Sequence, residues 1–291
     1  REGGQEVPPH DQALVEAAAR VATIRSEPFD AAAAAGRVRF LGAADHAAYV
    51  DHNLGLSLDP TLRGAKVAFS NLHGCGATTV LPVLRAAGFT VVVAEDQASM
   101  DGRFPTVPYL TPNPEVPSAM LRVIEVAREA GAHLALATDP DADRLGLAAP
   151  GPDGAWRTFT GNQIAALVLA HGLERRAAAG RLSPRDYVIK TEVTTDLLRR
   201  MAEAAGVRCV GHLLVGFKYI GDVIASVKNT GEWHDLKADE ENFICAMEES
   251  HGVLVTPAIR DKDAAGGALW LAELASAEAA RGRTLWDRLY D

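Results

Sequence analysis

The sequence predicts an α/β protein with two consecutive α/β domains, each a mixed, largely parallel sheet covered by helices. From Lys66 onward, short apolar runs alternate with amphipathic segments, the pattern that builds parallel β-α-β units. The chain has 291 residues, which suffices for about two domains of average size. Hydrophobic residues make up 48% and charged residues 23% of it, a composition that allows a packed core.

The predicted elements begin with a helix on an extended lead-in within residues 3–24, where apolar side chains recur at helical spacing. The alanine run 31–35 fits either a surface helix or a linker. Strands are predicted at Val67–Ser70, Thr90–Ala94, His133–Ala137, Tyr187–Lys190 and Val207–Gly211. Helices are predicted at Thr78–Ala87, Pro117–Ala130, Asn162–Arg176, Thr194–Ala205 and Phe217–Val227.

A turn marks the boundary between the two predicted domains. Residues 150–154 are rich in proline and glycine and predict a hairpin between Leu145–Ala149 and Trp156–Thr160. Thr160 can cap the helix that follows, so the boundary is predicted near residue 158. The predicted segments are 25–157, 158–278 and a terminal connection, 279–291.

Composition narrows the classes of function. The 29 Lys and Arg against 38 Asp and Glu give a net charge of −9, which argues against a nucleic-acid-binding surface. No apolar run approaches the roughly 20 residues that span a bilayer, so a membrane protein is not expected. Three distant cysteines form no disulfide framework and fit a reducing, cytoplasmic compartment. The chain starts at Arg1 with neither Met nor a signal segment, so we expect a piece of a longer protein.

Three carboxylates directly follow an apolar strand, at Asp139, Asp141 and Asp143. Ligands of open parallel sheets bind beyond the carboxyl ends of strands, and carboxylates this close repel one another unless a cation lies between them. An EF-hand begins with the same spacing, but it needs Gly and Glu where this chain has Arg144 and Pro150. The loop therefore predicts a site for a hard cation such as Mg²⁺, with Arg144 suited to a phosphate oxygen.

A glycine-rich turn supports a competing interpretation. Gly74 and Gly76 follow the first predicted strand and the acidic pair Glu95-Asp96 follows the next, as in dinucleotide-binding proteins. Thr79 stands where that fingerprint has its third glycine, so an ordinary strand-to-helix turn is the simpler interpretation. A nicotinamide-dependent oxidoreductase is one alternative function, and a non-catalytic sugar-phosphate-binding protein is another.

Two further polar groups have features of a site. Glu248, Glu249 and Ser250 follow the apolar run 243–246, and two carboxylates with a hydroxyl at the end of a strand can hold sugar hydroxyls. Lys218 lies in a glycine-bounded apolar stretch. Near a metal and a phosphate, such a lysine can move protons or stabilise negative charge.

In their order and separations, these motifs resemble those of the α-D-phosphohexomutase family, the phosphoglucomutases and phosphomannomutases. The resemblance extends over nearly the whole chain. It rests on His73-Gly74-Cys75-Gly76, Phe104-Pro105-Thr106-Val107, Asn113-Pro114-Glu115, Thr138–Arg144, Gly161-Asn162-Gln163, Gly216-Phe217-Lys218, Glu248-Glu249-Ser250 and Arg260-Asp261-Lys262-Asp263. It disfavours the nicotinamide alternative, because the family's His-Gly-x-Gly turn binds no nicotinamide.

The resemblance implies the second and third domains of that family and a role for each candidate residue. The implied residues are Asp139, Asp141 and Asp143 as magnesium ligands, Arg144, Lys218 and His73 as catalytic residues, and Glu248, Ser250 and Lys262 as substrate-binding residues. Arg144 would lie beside the transferred phosphate, Lys218 near the reacting oxygen and His73 along the cleft. The implied substrate is a hexose phosphate, glucose or mannose 1- or 6-phosphate.

The implied reaction passes a phosphoryl group from an enzyme phosphoserine to the hexose phosphate, and the bisphosphate later returns its other phosphate to the serine. Family members have four domains, and neither the phosphoserine loop of the first nor the phosphate-binding loop of the fourth occurs here. By this resemblance, residues 1–24 are the end of the first domain and 279–291 lead toward the fourth. We therefore expect a fragment of a bacterial-type enzyme, inactive alone and binding magnesium weakly.

Overall fold

The computed structural model describes residues 3–291. Its helices are α1 (His10–Ala19), α2 (Phe29–Ala34), α3 (Ala43–Leu54), α4 (Val80–Ala86), α5 (Leu121–Ala130), α6 (Gly161–Ala178), α7 (Leu197–Ala204), α8 (Phe217–Thr230), α9 (Ala264–Ala279) and α10 (Leu285–Leu289). Its strands are β1 (Lys66–Ser70), β2 (Thr90–Val93), β3 (Leu134–Thr138), β4 (Leu145–Pro150), β5 (Trp156–Thr158), β6 (Tyr187–Thr191), β7 (Arg208–Leu213), β8 (Glu232–Trp233), β9 (Leu236–Lys237), β10 (Phe243–Met247) and β11 (Val253–Leu254).

The first sheet is mixed and has the strand order β2-β1-β3-β4-β5. β1 pairs in parallel with β2 and β3, while β4 and β5 extend the sheet in antiparallel pairing. Because β1 and β3 are parallel, the loops that follow them leave the sheet at the same edge. That edge carries both the glycine turn after β1 and the three-carboxylate loop after β3.

The second sheet has the order β11-β10-β6-β7. β10, β6 and β7 are parallel, and β11 pairs antiparallel with β10. The loops after the three parallel strands therefore share one edge as well. The loop after β10 contains Glu248 and Ser250, and the loop after β7 leads into α8, whose first turn contains Lys218. A separate hairpin of β8 and β9 flanks this sheet.

Side chains of the strands alternate between two cores, as the pleat requires. In β1, Phe69 faces the core between the sheets, while Ala68 faces the outer core under α5. In β6, Val188 faces the core between the sheets, while Tyr187 and Ile189 face the outer core under α8. Each sheet therefore has helices on both faces, which is why the central strands β3, β6 and β10 are buried along their whole length.

A layer of helices lies between the two sheets. α4, α6, α7 and α9 contribute to a single buried cluster that also contains residues of both sheets, such as Phe69 and Ile244. In α9, every residue except Ala277 and Ala279 is buried. A helix in this position has no polar face, since protein surrounds it on all sides.

The predicted fold class is confirmed, and each predicted strand and helix coincides with an observed one within a few residues. The hairpin is present as β4 and β5. Thr160 caps α6 in a reciprocal arrangement with Gln163: the Gln163 N–H donates to Thr160 Oγ1 at 3.3 Å, and the Thr160 N–H donates to Gln163 Oε1 at 2.9 Å. The alanine run 31–35 falls largely within α2, so the surface helix rather than the linker is confirmed.

The sequence does not predict α3, α9 or α10. The cause is clearest for α9, whose burial on all sides removes the polar–apolar alternation that marks a helix in sequence. α10 lies in the segment predicted as a connection, yet Leu285 and Trp286 are buried. The Trp286 ring stacks on Phe159 with centroids 4.0 Å apart, and its Nε1 donates to Ala149 O at 3.2 Å. This segment is therefore packed against the first sheet.

The N-terminal segment is mostly exposed. α1 has no buried residue, whereas Val7 in the lead-in is buried. The first two residues of the predicted segment 1–24 lie outside the described residues. Among residues 3–291, no helix is long and apolar enough to cross a membrane.

Candidate functional site

The three-carboxylate loop begins where β3 ends, at Thr138. Asp139 is only 1% exposed, and its Oδ1 accepts hydrogen bonds from the backbone N–H groups of Asp143 and Arg144, at 3.1 and 3.0 Å. Ala142 has a φ of 58°, which turns the chain back toward the strand. The first carboxylate of the loop therefore closes the loop on itself.

Arg144 offsets part of the charge of this loop. Its Nε donates to Asp139 Oδ2 at 2.7 Å and lies 3.8 Å from Asp143 Oδ1. Burial raises the pKa of Asp139 to about 6, against the opposing effect of the hydrogen bonds from Arg144. Arg144 is one guanidinium beside three carboxylates, so it compensates their negative charge only in part.

The geometry of the loop fits a hard cation. One carboxylate oxygen from each of Asp139, Asp141 and Asp143 lies within 4.8 Å of the other two. Asp141 is exposed, so the cluster is open to solvent on one side. Mg²⁺ prefers oxygen ligands and keeps several positions for water or substrate phosphate. The residues present therefore fit a magnesium ion held at the edge of the first sheet.

The glycine turn after β1 packs directly against this loop. A Cβ on Gly74 would collide with the backbone of Pro140, and one on Gly76 would collide with Thr138 Oγ1. The Cys75 N–H donates to Pro140 O at 2.8 Å. Both glycines thus allow the close approach of two loops, which explains them without a dinucleotide.

His73 lies beside that turn, and its ring is held by neighbouring loops. The imidazole is 3% exposed, with Nδ1 2.9 Å from Ser99 O and Nε2 2.9 Å from Thr106 Oγ1. Because a carbonyl oxygen only accepts, Nδ1 donates to Ser99 O, while the Thr106 hydroxyl lies within hydrogen-bonding distance of both Nε2 and Asp96 O. In this structure, the contacts of His73 fix the loop that contains Ser99 and Thr106.

The predicted sugar-binding loop follows β10. Glu248 is 6% exposed, and its Oε1 accepts from the Gly216 N–H at 3.2 Å. Burial raises the pKa of Glu248, while the positive charge of Lys262 acts in the opposite direction. Glu249 and Ser250 are partly buried beside it. The loop thus places Glu248, Glu249 and Ser250 at the edge of the second sheet.

The two predicted loops are hydrogen-bonded to each other. The Leu145 N–H donates to His251 O at 3.0 Å, and Arg144 and Gly252 form an antiparallel β-bridge. The His251 Nδ1 lies 3.3 Å from Leu145 O, to which it donates. The edge of the first sheet and the edge of the second therefore meet, and the carboxylate loop and the sugar-binding loop form one surface.

Lys262 lies at this junction. Its Nζ is 2.9 Å from Asp143 Oδ2 and 3.0 Å from Asp261 Oδ1, and it stands 5.1 Å from the centroid of the Phe217 ring. Burial lowers the pKa of Lys262, but the two carboxylates outweigh that effect and raise it overall. A charged lysine therefore links the carboxylate loop to the segment that precedes α9.

Lys218, in the first turn of α8, contacts the N-terminal segment. Its Nζ donates to Asp11 Oδ2 at 2.8 Å, and this hydrogen bond raises the pKa of the lysine. Gln5 Nε2 donates to Asp261 Oδ2 at 2.7 Å. The lead-in to α1, through Gln5, and the first turn of α1, through Asp11, thus each contact the rim of the junction.

Two family comparisons decide the identity of the fold. The sequence model described as phosphoglucomutase/phosphomannomutase, alpha/beta/alpha domain II, matches residues 47–151, and the one for domain III matches residues 160–291. The chain belongs to the phosphoglucomutase/phosphomannomutase family. The resemblance stated from the motifs is therefore confirmed, and the two α/β units are domains II and III of this family. Membership in this family does not favour the nicotinamide alternative.

Individual relatives agree with this assignment. A phosphoglucomutase from Staphylococcus saprophyticus is 33% identical over 266 residues, which are 90% of this chain and 46% of that enzyme. A putative phosphomannomutase from Thermus thermophilus has the same fold, with a TM-score of 0.62 at 24% identity over 84% of this chain and 49% of that one. The N-acetylphosphoglucosamine mutase of Aspergillus fumigatus in complex with GlcNAc-6P and magnesium has a TM-score of 0.51 at 12% identity, over 84% and 49% of the two chains. The chain thus spans about half the length of these relatives.

A contact between Tyr49 and Asp263, which supports the carboxylate loop through the start of α9, was not predicted from the sequence. The Tyr49 hydroxyl lies 2.8 and 3.0 Å from the two carboxylate oxygens of Asp263. Asp263 accepts from the Ala265 N–H at 2.9 Å and so caps α9, and the Ala264 N–H donates to Ala142 O in the loop at 3.1 Å. Tyr49 and Asp263 are 214 positions apart, and no local pattern in the sequence connects them.

Proposed function

We propose that this chain is the central half of a phosphohexomutase that interconverts hexose 1-phosphate and hexose 6-phosphate. The observation that carries the proposal is the junction of two loops. Residues 139–143 follow a strand of the first sheet, and residues 248–250 follow a strand of the second. A hydrogen bond from the Leu145 N–H to His251 O joins the two loops. A cation, a phosphate and a sugar can be held together at such a junction.

In this proposal Asp139, Asp141 and Asp143 hold a Mg²⁺ ion. When bound, the ion offsets negative charge on the phosphoryl group in transfer. Support comes from the converging carboxylates, whose charge Arg144 and Lys262 offset only in part. The Aspergillus fumigatus relative was solved with magnesium, which agrees with a metal-dependent family.

The other residues bind and orient the substrate. Arg144 contacts oxygens of the transferred phosphate, since a guanidinium presents several donors in a plane. Lys218, kept charged by Asp11, stabilises the reacting oxygen or donates a proton to it. Glu248 and Ser250 bind sugar hydroxyls. The relative solved with GlcNAc-6P supports a sugar phosphate as the ligand class.

Two further candidate residues have less direct roles. Lys262 lies on the cleft wall, where its contact with Asp143 balances the carboxylate loop and leaves its ammonium close to an incoming phosphate. His73 acts by holding the loop of Ser99 and Thr106 in place, because both of its ring nitrogens are engaged there.

The reaction starts from a phosphoserine that this sequence does not contain. Its O–P bond breaks as a bond forms from the free sugar hydroxyl to phosphorus, and the hydroxyl proton is passed to the serine oxygen that leaves, so that the serine hydroxyl is regenerated. The resulting bisphosphate turns over and returns its other phosphoryl group to the serine. We infer that the serine belongs to another part of the enzyme and that this chain alone is inactive. The three unpaired cysteines support a cytoplasmic location.

The metal part of the proposal is tested with Asp141→Asn. In the unchanged chain, Mg²⁺ at ten times its Kd raises the free energy of unfolding by about 1.4 kcal/mol. The Asn variant loses this response and keeps its metal-free stability, because Asp141 is exposed. Thermal melts with and without MgCl2 measure both quantities. The control is Asp153→Asn, at the exposed β4–β5 turn. An unchanged response in the Asp141 variant contradicts the assignment.

The catalytic part is tested by a coupled assay of glucose 1-phosphate conversion to glucose 6-phosphate. We expect no turnover by the 291-residue chain and turnover by the protein that includes the phosphoserine segment. Asp141→Asn in the longer protein removes that turnover. Conversion by the 291-residue chain alone contradicts the absence of a phosphoryl donor.

A further inference from the structure

The side chain of Glu249, in the middle of the sugar-binding loop, faces Thr191 at the end of β6 and Thr194 in the turn that follows. Its Oε2 lies 3.3 Å from Thr191 Oγ1 and 3.1 Å from Thr194 Oγ1, and the two hydroxyls lie 2.7 Å from each other. The three groups thus form a closed hydrogen-bonding set. In it, hydroxyl protons point to the carboxylate directly or through the neighbouring hydroxyl.

A buried lysine holds the backbone of the same turn. Lys190 is 4% exposed, and its Nζ donates to Thr194 O at 3.0 Å and lies 3.4 Å from Thr191 O. The methylene chain of Lys190 packs against Gly211 of β7, since a Cβ at Gly211 would lie 3.1 Å from Lys190 Cε. Both hydrogen bonds that Nζ makes among residues 3–291 go to carbonyl oxygens of this turn. A buried ammonium needs such partners.

The backbone of Glu249 is fixed from the opposite side. Gly161 begins α6 directly against Glu249 O, and any side chain at Gly161 would collide with that carbonyl. The backbone of Glu249 is therefore set by α6, and its side chain by the two threonines. Glu248, its neighbour in the loop, faces the other way and accepts from the Gly216 N–H.

We propose that Lys190, Thr191 and Thr194 are positioning residues for the sugar-binding loop, acting through Glu249. By anchoring Glu249, they present Glu248 and Ser250 to the sugar. This inference rests on the proposed function, in which those two residues bind sugar hydroxyls. It adds that the orientation of the sugar-binding loop is set by the hydrogen bonds that the hydroxyls of Thr191, in β6, and Thr194, in the turn after β6, donate to Glu249.

The test compares a double variant, Thr191→Val with Thr194→Val, against the matched double variant to Ser. Valine keeps the shape of threonine and removes the hydroxyl, whereas serine keeps the hydroxyl. Lys190→Met removes the support of the turn. Thr230→Val is the control, since the Thr230 hydroxyl donates to Ser226 O at the end of α8. Two readouts are used: amide hydrogen exchange of residues 248–252 without ligand, and affinity for glucose 1-phosphate with MgCl2.

We expect the Val variant to exchange faster at 248–252 and to bind glucose 1-phosphate more weakly, each by about fivefold, the effect of losing roughly one hydrogen bond. Lys190→Met moves both readouts in the same direction. The Ser variant restores both, and Thr230→Val changes neither. Amides of α6 and α9 stay protected in every variant, which separates a loop effect from global unfolding. If the double Val variant does not fold, Thr194→Val alone gives the same comparison.

The outcomes separate this inference from the proposed function. If exchange at 248–252 is the same in the Val and Ser variants, the positioning role is overturned, whatever the unchanged chain binds. If the Val variant loosens the loop but the unchanged chain binds no glucose 1-phosphate, the proposed function fails and the anchoring of the loop stands. Loosening together with weaker sugar binding, both restored by Ser, supports the inference.

Discussion

Two buried carboxylates in this molecule have opposite surroundings. Glu273, in the middle of α9, is 0% exposed and Asp139 is 1% exposed. Glu273 accepts from the Leu58 N–H at 3.2 Å, from Arg63 at 3.0 Å and from His171 at 3.1 Å, and also from the Ser57 hydroxyl. Every donor comes from a different group, and no second carboxylate is recorded among its described partners. Its charge is therefore satisfied by the protein itself.

Asp139 lies among other acids. Its own donors are two backbone amides and the Arg144 side chain, while Asp141 and Asp143 lie within 4.8 Å. Lys262 adds a further positive charge, on Asp143. The comparison teaches that burial alone does not identify a functional acid. A structural carboxylate has its donors complete, whereas a candidate metal ligand leaves negative charge that a cation can satisfy.

The largest expected effect is on the satisfied carboxylate. Glu273→Ala leaves Arg63 and His171 without their buried partner, and we expect the free energy of unfolding to fall by about 3 kcal/mol. The affinity for Mg²⁺ stays unchanged, because Glu273 makes no contact with the carboxylate loop. Denaturant unfolding and magnesium titration of one sample measure both. Glu273→Gln, which keeps the shape and loses the charge, is the matched control and costs less. A change in magnesium affinity without a loss of stability contradicts the comparison.

A smaller effect is expected at the carboxylate loop, where a substitution raises the affinity for Mg²⁺. Lys262→Met frees Asp143 from its ammonium partner, so we expect Mg²⁺ affinity to rise by about fivefold, the worth of a partly buried ion pair near 1 kcal/mol. Affinity for glucose 1-phosphate falls, because the variant removes a positive charge from the cleft wall. Calorimetry gives both constants. Lys228→Met, whose lysine pairs with Glu240 at 3.5 Å, is the control. Weaker magnesium binding in the Lys262 variant means that this lysine does not compete with the metal.

The smallest effect is a pH dependence from Glu248. Its pKa in the folded chain is raised above 4.5 by burial, so between 4.5 and the folded value the folded state binds more protons than the unfolded state. The free energy of unfolding therefore falls as pH rises through that window, and Glu248→Gln removes this contribution. Denaturant unfolding of both proteins from pH 4 to pH 7 is the measurement. Parallel curves for the two proteins contradict the raised pKa.

The features that could be predicted from the sequence are those that depend on a local pattern of residues. The strands show as apolar runs, and the carboxylate loop shows as three acids within five residues after one of them. Thr160 shows as a helix cap because the start of a helix is a local event, whereas its reciprocal partner Gln163 is seen only in the structure. The fold class and the metal-loop hypothesis could therefore be stated before the structure.

Other features depend on distant contacts and leave no local trace. α9 was missed because a helix buried on all sides has no amphipathic period. Arg63 and Glu273 are 210 positions apart, and Lys218 and Asp11 are 207 apart. Thr191 and Thr194 contact Glu249 across 58 and 55 positions. The sequence alone shows which acidic residues lie close together along the chain, but not which carboxylate has all of its hydrogen-bond donors in the folded protein.

The central claim is that the loops at 139–144 and 248–252 form one site for a magnesium ion and a hexose phosphate. The direct test is a glucose 1-phosphate titration of the 291-residue chain, with and without MgCl2, followed by the amide resonances of both loops. We predict that both loops shift along one binding curve with a single Kd, that MgCl2 lowers this Kd, and that Asp141→Asn abolishes the effect of magnesium. Shifts confined to one loop, or separate Kd values for the two loops, would contradict the account.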